Sequence, residues 1–301
     1  MSKRPGSAVA AAALGVITLL LTVIPAGGAA AVPAADAPVT TASATPLIVA
    51  HRGASGYAPE NTLVAADEAA RLDTEWVEID VQRTKDHQLI AMHDTTLART
   101  TNAAAVFPDR SPWNVRDFTA REIARLDAGS WFGDEFVAER VPTLRQYLHR
   151  LSANDQKLLL EIKSPELYPG IERQILTELD RAGWLAEAYP GERVVLQSFS
   201  GDSVRTVHEL APEVKTGFLG TPPVAELPYY AEFSDQIGPR YTDLTAEYVA
   251  AIQAVDGAHG EPLEVNAWTI NDGPTAARIA GLGVDGIITN FPDVIREAIG
   301  G

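Results

Sequence analysis

Three carboxylates and a lysine interrupt runs of apolar residues that are typical of buried strands. Glu78 and Asp80 stand two residues apart in WVEIDV, and Glu161 and Lys163 stand two apart in LLLEIK. Side chains two apart on a strand lie on the same face. Each carboxylate alone could mark a solvated strand end, but three unpaired buried charges would be costly. We therefore predict that Glu78, Asp80 and Glu161 bind one divalent cation, Ca²⁺ or Mg²⁺, because hard cations prefer oxygen ligands.

Two histidines also end apolar runs. His51 follows LIVA and His93 follows LIAM. A lone histidine in such a place is more often structural than catalytic, but two beside a cation site suit a general acid and a general base on opposite sides of a phosphorus atom. Arg52 and Lys163 would then hold phosphoryl oxygens. We interpret the other four histidines as surface residues: His87, His149, His208 and His259.

Three further residues have both a structural and a functional interpretation. Asn61, in PENT, stands where a helix N-cap is expected, and Glu60 beside it could brace His51 or Arg52 from behind. Trp268 either walls a substrate pocket or fills the core. We place Glu60 and Asn61 behind the site and Trp268 against the substrate.

These residues need a fold that brings many strand ends together. Apolar runs predict eight strands, and amphipathic segments between them predict helices. The strands are 47–50, 76–81, 158–162, 193–199, 215–220, 235–241 (the weakest), 263–270 and 286–289, and the helices are 60–72, 143–153, 170–182, 201–210, 245–256, 273–282 and 292–299. This alternation is typical of an α/β protein with a (β/α)₈ TIM barrel, whose active sites form at the carboxyl ends of the strands.

One connection in this pattern is too short for a crossover helix. In WVEIDVQRTKDHQLIAMHD, two extended segments are joined through Lys85, Asp86 and His87. Parallel strands need a dozen or more connecting residues, so this segment must form a hairpin. A turn centred between Asp86 and His87 places Asp80 opposite His93.

Residues 95–142 separate this hairpin from the next predicted helix. The segment is too long for an ordinary connection, and it carries large apolar side chains that favour packing over disorder. These are Trp113, Phe118, Leu126, Trp131, Phe132 and Phe136. We predict a small inserted subdomain between strand 2 and helix 2, over the mouth of the barrel.

The beginning of the chain differs in composition from the rest. Two cations, an apolar run and then small residues are typical of a secretory signal peptide, predicted here as residues 1–31. The alternative is an uncleaved membrane anchor. Residues 32–45 predict a flexible lead-in, and residues 46–301 one barrel domain. We therefore expect a secreted, extracellular protein with no stable membrane insertion after cleavage.

Composition limits the possible partners. The chain of 301 residues is 46% hydrophobic and contains no cysteine, so its stability must come from a large core and any bound ion rather than from disulfides. The formal net charge of −16 argues against nucleic acid or an anionic membrane as a partner. An anionic substrate would need a local positive site. The oligomeric state stays open.

Taken together, the motifs resemble those of the glycerophosphodiester phosphodiesterase family. In family order and spacing they are AHRGASGYAPENT, VEIDVQRTKD, MHDTTLARTT, VPTL, LEIK, SF, AWTIN and GVDGIITNFP. The resemblance implies a barrel with an insertion after the second strand, and hydrolysis of a small-molecule glycerophosphodiester to glycerol 3-phosphate and an alcohol. It also implies acid/base roles for His51 and His93, a Ca²⁺ or Mg²⁺ ion on the three carboxylates, and substrate contacts from Arg52, Lys163 and Trp268.

The sequence departs from the family pattern in two places, YYAEFSDQIGPRYTD and HGEPLEVNAWTIN, and both affect the expected pocket for the alcohol. We assign protonation of the leaving alkoxide to His93 and deprotonation of the nucleophile to His51, although the sequence also allows the reverse. The nucleophile is either water or the glycerol 2-hydroxyl, by way of a cyclic phosphate.

Two other functions are alternatives. A phospholipase D-like or lysophospholipase D-like enzyme would need an apolar rim, for which SWFGDEF in the insertion is the candidate. A non-catalytic anion-binding barrel would have lost a metal ligand or a histidine, and this sequence keeps all five.

Overall fold

The described part of the chain comprises residues 45–186 and 193–300 of a computed structural model. The predicted signal peptide, residues 1–31, and the predicted lead-in up to residue 44 lie outside the described residues. Within the two described ranges, the helices are too short or too polar to cross a membrane.

Eight parallel strands close into a barrel. The first strand pairs with both the second and the last, which completes the ring. The parallel strands are β1 (Leu47–His51), β2 (Trp76–Arg83), β4 (Lys157–Ile162), β5 (Val194–Ser198), β6 (Lys215–Leu219), β7 (Gln236–Gly238), β8 (Glu264–Ala267) and β9 (Gly286–Thr289). The (β/α)₈ prediction is confirmed, and the strand with the weakest sequence pattern, predicted at 235–241, is β7.

A further strand, β3 (Leu89–Ala91), runs antiparallel to β2 and confirms the hairpin. The predicted register is wrong by one residue. The N–H of Met92 donates to the carbonyl of Asp80 at 2.9 Å, so Asp80 faces Met92 rather than His93. The reason is the turn, which has three residues instead of an even number and ends with His87 in the left-handed region at φ 60°.

Seven helices follow barrel strands at the predicted places. They are α1 (Leu63–Arg71), α4 (Leu144–Ala153), α5 (Ile171–Arg181), α6 (Gly201–Leu210), α8 (Ala246–Gln253), α9 (Gly273–Ala280) and α10 (Pro292–Ile299). The N-cap interpretation of Asn61 is wrong, because Thr62 caps α1 through a hydrogen bond from the N–H of Ala65. A short helix between β6 and β7, α7 (Leu227–Ala231), lies in a segment without a predicted helix.

The insertion between β3 and α4 has a small core of its own. It contains two short helices, α2 (Ala103–Val106) and α3 (Ala120–Ile123), and several 3₁₀ turns. Phe118 and Leu126 are fully buried in this core. Trp131, which the sequence predicts to pack, contacts Phe132 edge to face but remains 40% exposed.

The barrel interior is layered, which explains where the polar residues stand. One layer is apolar and consists of Val49, Trp76, Leu159, Val195 and Ile288. Side chains alternate along a strand, so residues two positions further along point to the same interior, nearer to the carboxyl ends. Those residues are His51, Glu78, Glu161, Gln197 and Asn290. A polar layer therefore lies directly on an apolar one.

Candidate active site

Glu78, Asp80 and Glu161 meet inside the mouth of the barrel. Glu78 and Asp80 lie two apart on β2, and the parallel register places Asp80 beside Glu161 of β4. The three residues are buried, and each offers an oxygen within 4.8 Å of the others. They form the all-oxygen cluster that hard cations bind.

The charges of this cluster are unfavourable when no cation is bound. Burial, followed by repulsion from Asp80, raises the pKa of Glu78 well above its usual value and that of Glu161 to about 7. Burial opposes the ionisation of Asp80 as well, but Arg52 and Lys163 outweigh it and lower the pKa of Asp80. A cation among the three carboxylates would favour the ionised form of each.

Two buried oxygen atoms of the cluster are suited to bind a cation. Glu78 Oε1 and Asp80 Oδ1 are buried and have no hydrogen-bond partner. Each such atom costs on the order of 1–3 kcal/mol unless a partner satisfies it. A divalent cation with oxygen ligands would satisfy both atoms. The residues present therefore fit a hard divalent cation.

Arg52 lies at the rim with its backbone in the left-handed region, at φ 58°. Its N–H donates to Glu78 Oε2 at 2.9 Å, its Nη1 donates to Glu60 Oε1 at 2.9 Å, and its Nε lies 3.2 Å from Asp80 Oδ2. Gly53 follows at φ 82°, with the backbone of α1 only 2.6 Å from where a Cβ would stand. This sharp exit from β1, which a side chain at Gly53 would block, turns Arg52 back over the acidic cluster.

Lys163 is the second cation of the site. It follows β4 on the same face as Glu161, and its Nζ lies 2.7 Å from Glu161 Oε1 and 3.6 Å from Asp80 Oδ1. Like the side chain of Arg52, that of Lys163 is mostly buried. The two residues supply the local positive charge that an anionic substrate needs on an acidic protein.

The two histidines are oriented by different partners. His51 Nδ1 lies 2.7 Å from Asn290 Oδ1, and His93 Nδ1 lies 2.7 Å from Asp94 Oδ1. Both partner atoms are acceptors, so Nδ1 carries the proton in each ring and Nε2 is the nitrogen left for chemistry. Burial, followed by the charge of Arg52, lowers the pKa of His51 to about 4. His51 is therefore neutral at pH 7.

A cavity of about 220 Å³ joins these groups to an apolar wall. The wall consists of Phe199, Leu219, Trp268 and Ile288. Phe199 and Trp268 meet edge to face with ring centroids 5.5 Å apart, and Trp268 Nε1 donates to the carbonyl of Gly238 at 2.8 Å. Trp268 is thus held in place as a wall of the cavity.

Glu60 and Asn61 lie directly behind the cavity. Besides Arg52, Glu60 binds Arg99, which donates to Oε1 at 2.7 Å and to Oε2 at 2.8 Å. Asn61 holds Asp80 by two hydrogen bonds: its Nδ2 donates to Oδ2 at 2.8 Å, and its Oδ1 accepts from the Asp80 N–H at 3.1 Å. Asn61 therefore orients a carboxylate of the cluster.

Residues 51–294 match the model of the glycerophosphoryl diester phosphodiesterase family. The chain belongs to this family. It is 35% identical over 265 residues to a glycerophosphodiester phosphodiesterase of Bacillus subtilis, and the match covers 83% of this chain and 85% of that protein. It is also 35% identical over 257 residues to the glycerophosphodiester phosphodiesterase of Caldanaerobacter subterraneus, covering 84% and 97% of the two chains.

The chain is also similar to a solved phosphodiesterase structure. An Oleispira antarctica phosphodiesterase, solved in complex with the product sn-glycerol-3-phosphate, matches with a TM-score of 0.71 and 29% identity. The match covers 85% of this chain and 98% of that chain.

In the structure of the present chain, the residues predicted from the sequence all lie at one mouth of the barrel. Seven of them line the cavity: His51, Arg52, Glu78, His93, Glu161, Lys163 and Trp268. Asp80 and Glu60 contact Arg52 from behind, and Asn61 in turn holds Asp80. The other histidines lie away from the cavity; His87, His149 and His259 are exposed, and His208 is half-buried.

Gln82 is a site residue that the sequence interpretation missed. It follows Asp80 by two positions on β2, so the alternation along the strand was a usable signal. Its Nε2 donates to the carbonyls of Met92, His93 and Asp94 at 2.8, 3.1 and 2.6 Å. Gln82 thus fixes the backbone that carries His93.

Asn290 and Asp94 were missed as well, although both stand in motifs that resemble the family. Asn290 follows the buried Ile288 by two positions, and Asp94 follows His93 directly. Their contacts orient the two rings, but the residue type alone does not distinguish them from polar loop residues.

Proposed function

We propose that the protein hydrolyses glycerophosphodiesters to glycerol 3-phosphate and an alcohol, using a divalent cation held by Glu78, Asp80 and Glu161. The observation that carries this proposal is the cavity, which combines two histidines and the side chains of Arg52 and Lys163 with an acidic cluster whose buried oxygens include two without a hydrogen-bond partner. The family, the names of the relatives and the product bound to the Oleispira antarctica enzyme support the same substrate class.

The cationic groups would hold the phosphate. When bound, the divalent cation would supply a positive charge to a phosphate oxygen and stabilise the charge that develops during the reaction. Arg52 would bind a second oxygen through its forked guanidinium, and Lys163 would act as a point charge. Glu60 and Asp80 restrict the position of Arg52, so little reorganisation is needed when substrate binds.

The histidines would move the protons. His51 is neutral, with Nδ1–H bonded to Asn290, so its Nε2 takes the proton of the nucleophile. His93 in its protonated form, with Nδ1–H bonded to Asp94, gives a proton from Nε2 to the leaving alkoxide. This division of roles serves both nucleophiles, water and the glycerol 2-hydroxyl.

The test is release of glycerol 3-phosphate from the choline, ethanolamine, glycerol and inositol diesters. Each assay is run on the protein as purified, after EDTA, and after readdition of Ca²⁺ or Mg²⁺. We expect turnover of at least one diester that EDTA abolishes and one of the two cations restores. Absence of glycerol 3-phosphate in every assay would contradict the proposed activity, and turnover unaffected by EDTA would contradict the cation site.

One observation favours a second candidate, hydrolysis of lysophospholipids. In the insertion, Trp131 is 40% exposed and Val137 is 65% exposed, and Trp131 packs edge to face on Phe132 at 5.6 Å. Such a patch could contact an apolar aggregate. The test compares turnover of lysophosphatidylcholine micelles with that of glycerophosphocholine. Faster turnover of the micelles, lost in Val137→Asp, would establish this function. Equal or slower turnover of the micelles would exclude it.

We also propose export of the protein, on the sequence of residues 1–31 alone. Expression of the full chain in a bacterial host should yield protein in the medium whose N-terminus lies near residue 31. Retention of the intact N-terminus on membranes would favour the uncleaved anchor.

A further inference from the structure

Arg99, in the insertion, binds two carboxylates of the site at once. Its Nε and Nη2 donate to Asp94 at 2.7 and 3.0 Å, and its Nη1 and Nη2 donate to Glu60 at 2.8 and 2.7 Å. Both carboxylates are therefore bound through both of their oxygens. Only the planar fork of a guanidinium offers donors in the directions that this arrangement requires.

Each of these carboxylates also contacts a residue that lines the cavity. Asp94 Oδ1 lies 2.7 Å from His93 Nδ1, and Glu60 Oε1 accepts from Arg52 Nη1 at 2.9 Å. A continuous series of hydrogen bonds thus runs from His93 through Asp94, Arg99 and Glu60 to Arg52. We call this series the Arg99 bridge.

The charges along the Arg99 bridge alternate, which makes Arg99 its essential member. Arg99 is the first cause of the lowered pKa of Asp94, and it lowers the pKa of Glu60 against the effect of burial. Both carboxylates therefore stay ionised. Without the guanidinium between them, the two anions would repel each other, and each would lose two hydrogen bonds.

Arg99 is also one of the points at which the insertion is tied to the loops of the barrel. Asp94 and Arg99 belong to the segment after β3, whereas Glu60 belongs to the loop between β1 and α1. The Arg99 bridge therefore couples the position of the segment that carries His93 to the loop that carries Arg52. A displacement on one side would be transmitted to the other.

We propose that Arg99 is a positioning residue that orients His93 and Arg52 together. The proposal rests on the proposed function, in which His93 transfers a proton and Arg52 holds the phosphate. It predicts a particular kinetic signature. Loss of Asp94 should act mainly on kcat, loss of Glu60 mainly on KM, and loss of Arg99 on both, because Arg99 contacts both carboxylates.

The experiment measures kcat and KM of the full chain loaded with its cation, on the diester that it hydrolyses best. The variants are Arg99→Gln, Arg99→Lys, Asp94→Asn, Glu60→Gln and His93→Ala. Arg110→Gln is the matched control, because Arg110 is an ion-paired arginine of the same insertion that donates to Glu122 at 2.6 Å, away from the cavity. Thermal melting of each variant reports on folding.

We expect Arg99→Gln to lower kcat about 10- to 100-fold and to raise KM several-fold, in line with the sensitivity of catalysis to small displacements. Arg99→Lys should recover little, because an ammonium cannot bind both carboxylates through both oxygens. Arg110→Gln should keep wild-type kcat and KM. A further variant, Arg99→Ala, tests chemical rescue: addition of guanidinium ions to the folded variant should restore part of kcat, which a purely structural role would not predict.

Wild-type kcat and KM in folded Arg99→Gln, while His93→Ala is inactive, would overturn the role of Arg99 and leave the proposed function intact. Near-normal activity of His93→Ala would instead contradict the proposed function. Should Arg99→Gln not fold, the Asp94→Asn/Glu60→Gln double variant decides, compared with the two single variants. We expect their effects on kcat/KM to be non-additive by about 2-fold or more, and strict additivity would contradict the Arg99 bridge.

Discussion

The main-chain N–H of Arg52 donates a hydrogen bond to the Glu78 carboxylate across 2.9 Å. The register of β1 and β2 also pairs His51 with Glu78. A proposed base, a proposed phosphate-binding residue and a proposed cation ligand are therefore adjacent through backbone geometry. This bond depends on the left-handed conformation of Arg52, at φ 58°.

Two substitutions of Arg52 separate its backbone role from its side-chain role. Both Arg52→Gly and Arg52→Ala remove the guanidinium, so both should raise KM about 10-fold or more. Only alanine is strained in the left-handed region. We expect Arg52→Ala to have a free energy of unfolding about 0.5–1 kcal/mol below that of Arg52→Gly. Urea denaturation measures this difference, and equal stabilities would show that the left-handed backbone is not needed.

The stability of the cation-free protein should depend on pH through Glu161. The pKa of Glu161 is about 7 in the folded state and 4.5 ordinarily. Between these values the folded state binds more protons than the unfolded state, so stability falls as pH rises. Glu161→Gln should not lose stability in this way, because glutamine does not ionise. In EDTA, we expect the variant to exceed the wild type at pH 7 by on the order of 1 kcal/mol, and the advantage to disappear near pH 4.5.

His51 changes the free energy of unfolding with pH in the opposite direction. Comparison of Glu161→Gln with the wild type cancels this contribution. The pKa of His51 is about 4 in the folded state and 6.5 ordinarily, so its contribution to stability falls as pH drops through that window. Both proteins retain His51, so the difference between their urea unfolding curves at each pH reports on the charge of Glu161, including its repulsion of Glu78. Parallel pH profiles would refute the unfavourable charge at Glu161.

The acidic cluster should also bind its cation measurably without substrate. Ca²⁺ or Mg²⁺ should raise the melting temperature of EDTA-treated wild type, because binding to the folded state stabilises it. Asp80→Asn should lose most of this response, since Asp80 is one of the three carboxylates of the cluster and its buried Oδ1 has no hydrogen-bond partner. Asp127→Asn is a control carboxylate in the insertion, where Asp127 accepts from the N–H groups of Gly129 and Ser130. An equal cation response in Asp80→Asn and the wild type would place the ion elsewhere.

Asn290 should affect the rate more than substrate binding. Asn290→Ala removes the acceptor for His51 Nδ1–H, so the ring is free to rotate and to adopt the other tautomer. We expect kcat to fall about 10- to 100-fold with KM within a few-fold of the wild type. Asn154→Ala, which changes an asparagine bound to Asp67 outside the site, is the matched control. A change in KM alone would indicate a role for Asn290 in substrate binding.

Sequence patterns predict the barrel because strand and helix periodicities are local properties. They also predict Glu78, Asp80 and Glu161, since a carboxylate that interrupts an apolar strand is visible without knowledge of the fold. The prediction of the hairpin register was wrong because the register depends on the conformation of His87. No periodicity reports that single backbone angle.

Long-range partners are the second source of error. Asn61 and Thr62 are both good N-cap residues, and the choice between them depends on Asp80, which binds the Asn61 amide. Likewise, Asn290 lies 239 positions from His51, and only the closure of the barrel brings them together. Such contacts follow from the complete fold rather than from any local pattern.

The most direct measurement of the central claim is the rate of glycerol 3-phosphate release in a single turnover by the cation-loaded protein. His51→Ala and His93→Ala are compared with the wild type and with His149→Ala, an exposed histidine on α4. We predict that both cavity variants lose about 10²- to 10⁴-fold in rate, as expected for loss of a general base or acid, while His149→Ala retains the wild-type rate. A near-normal rate in His51→Ala would contradict the account.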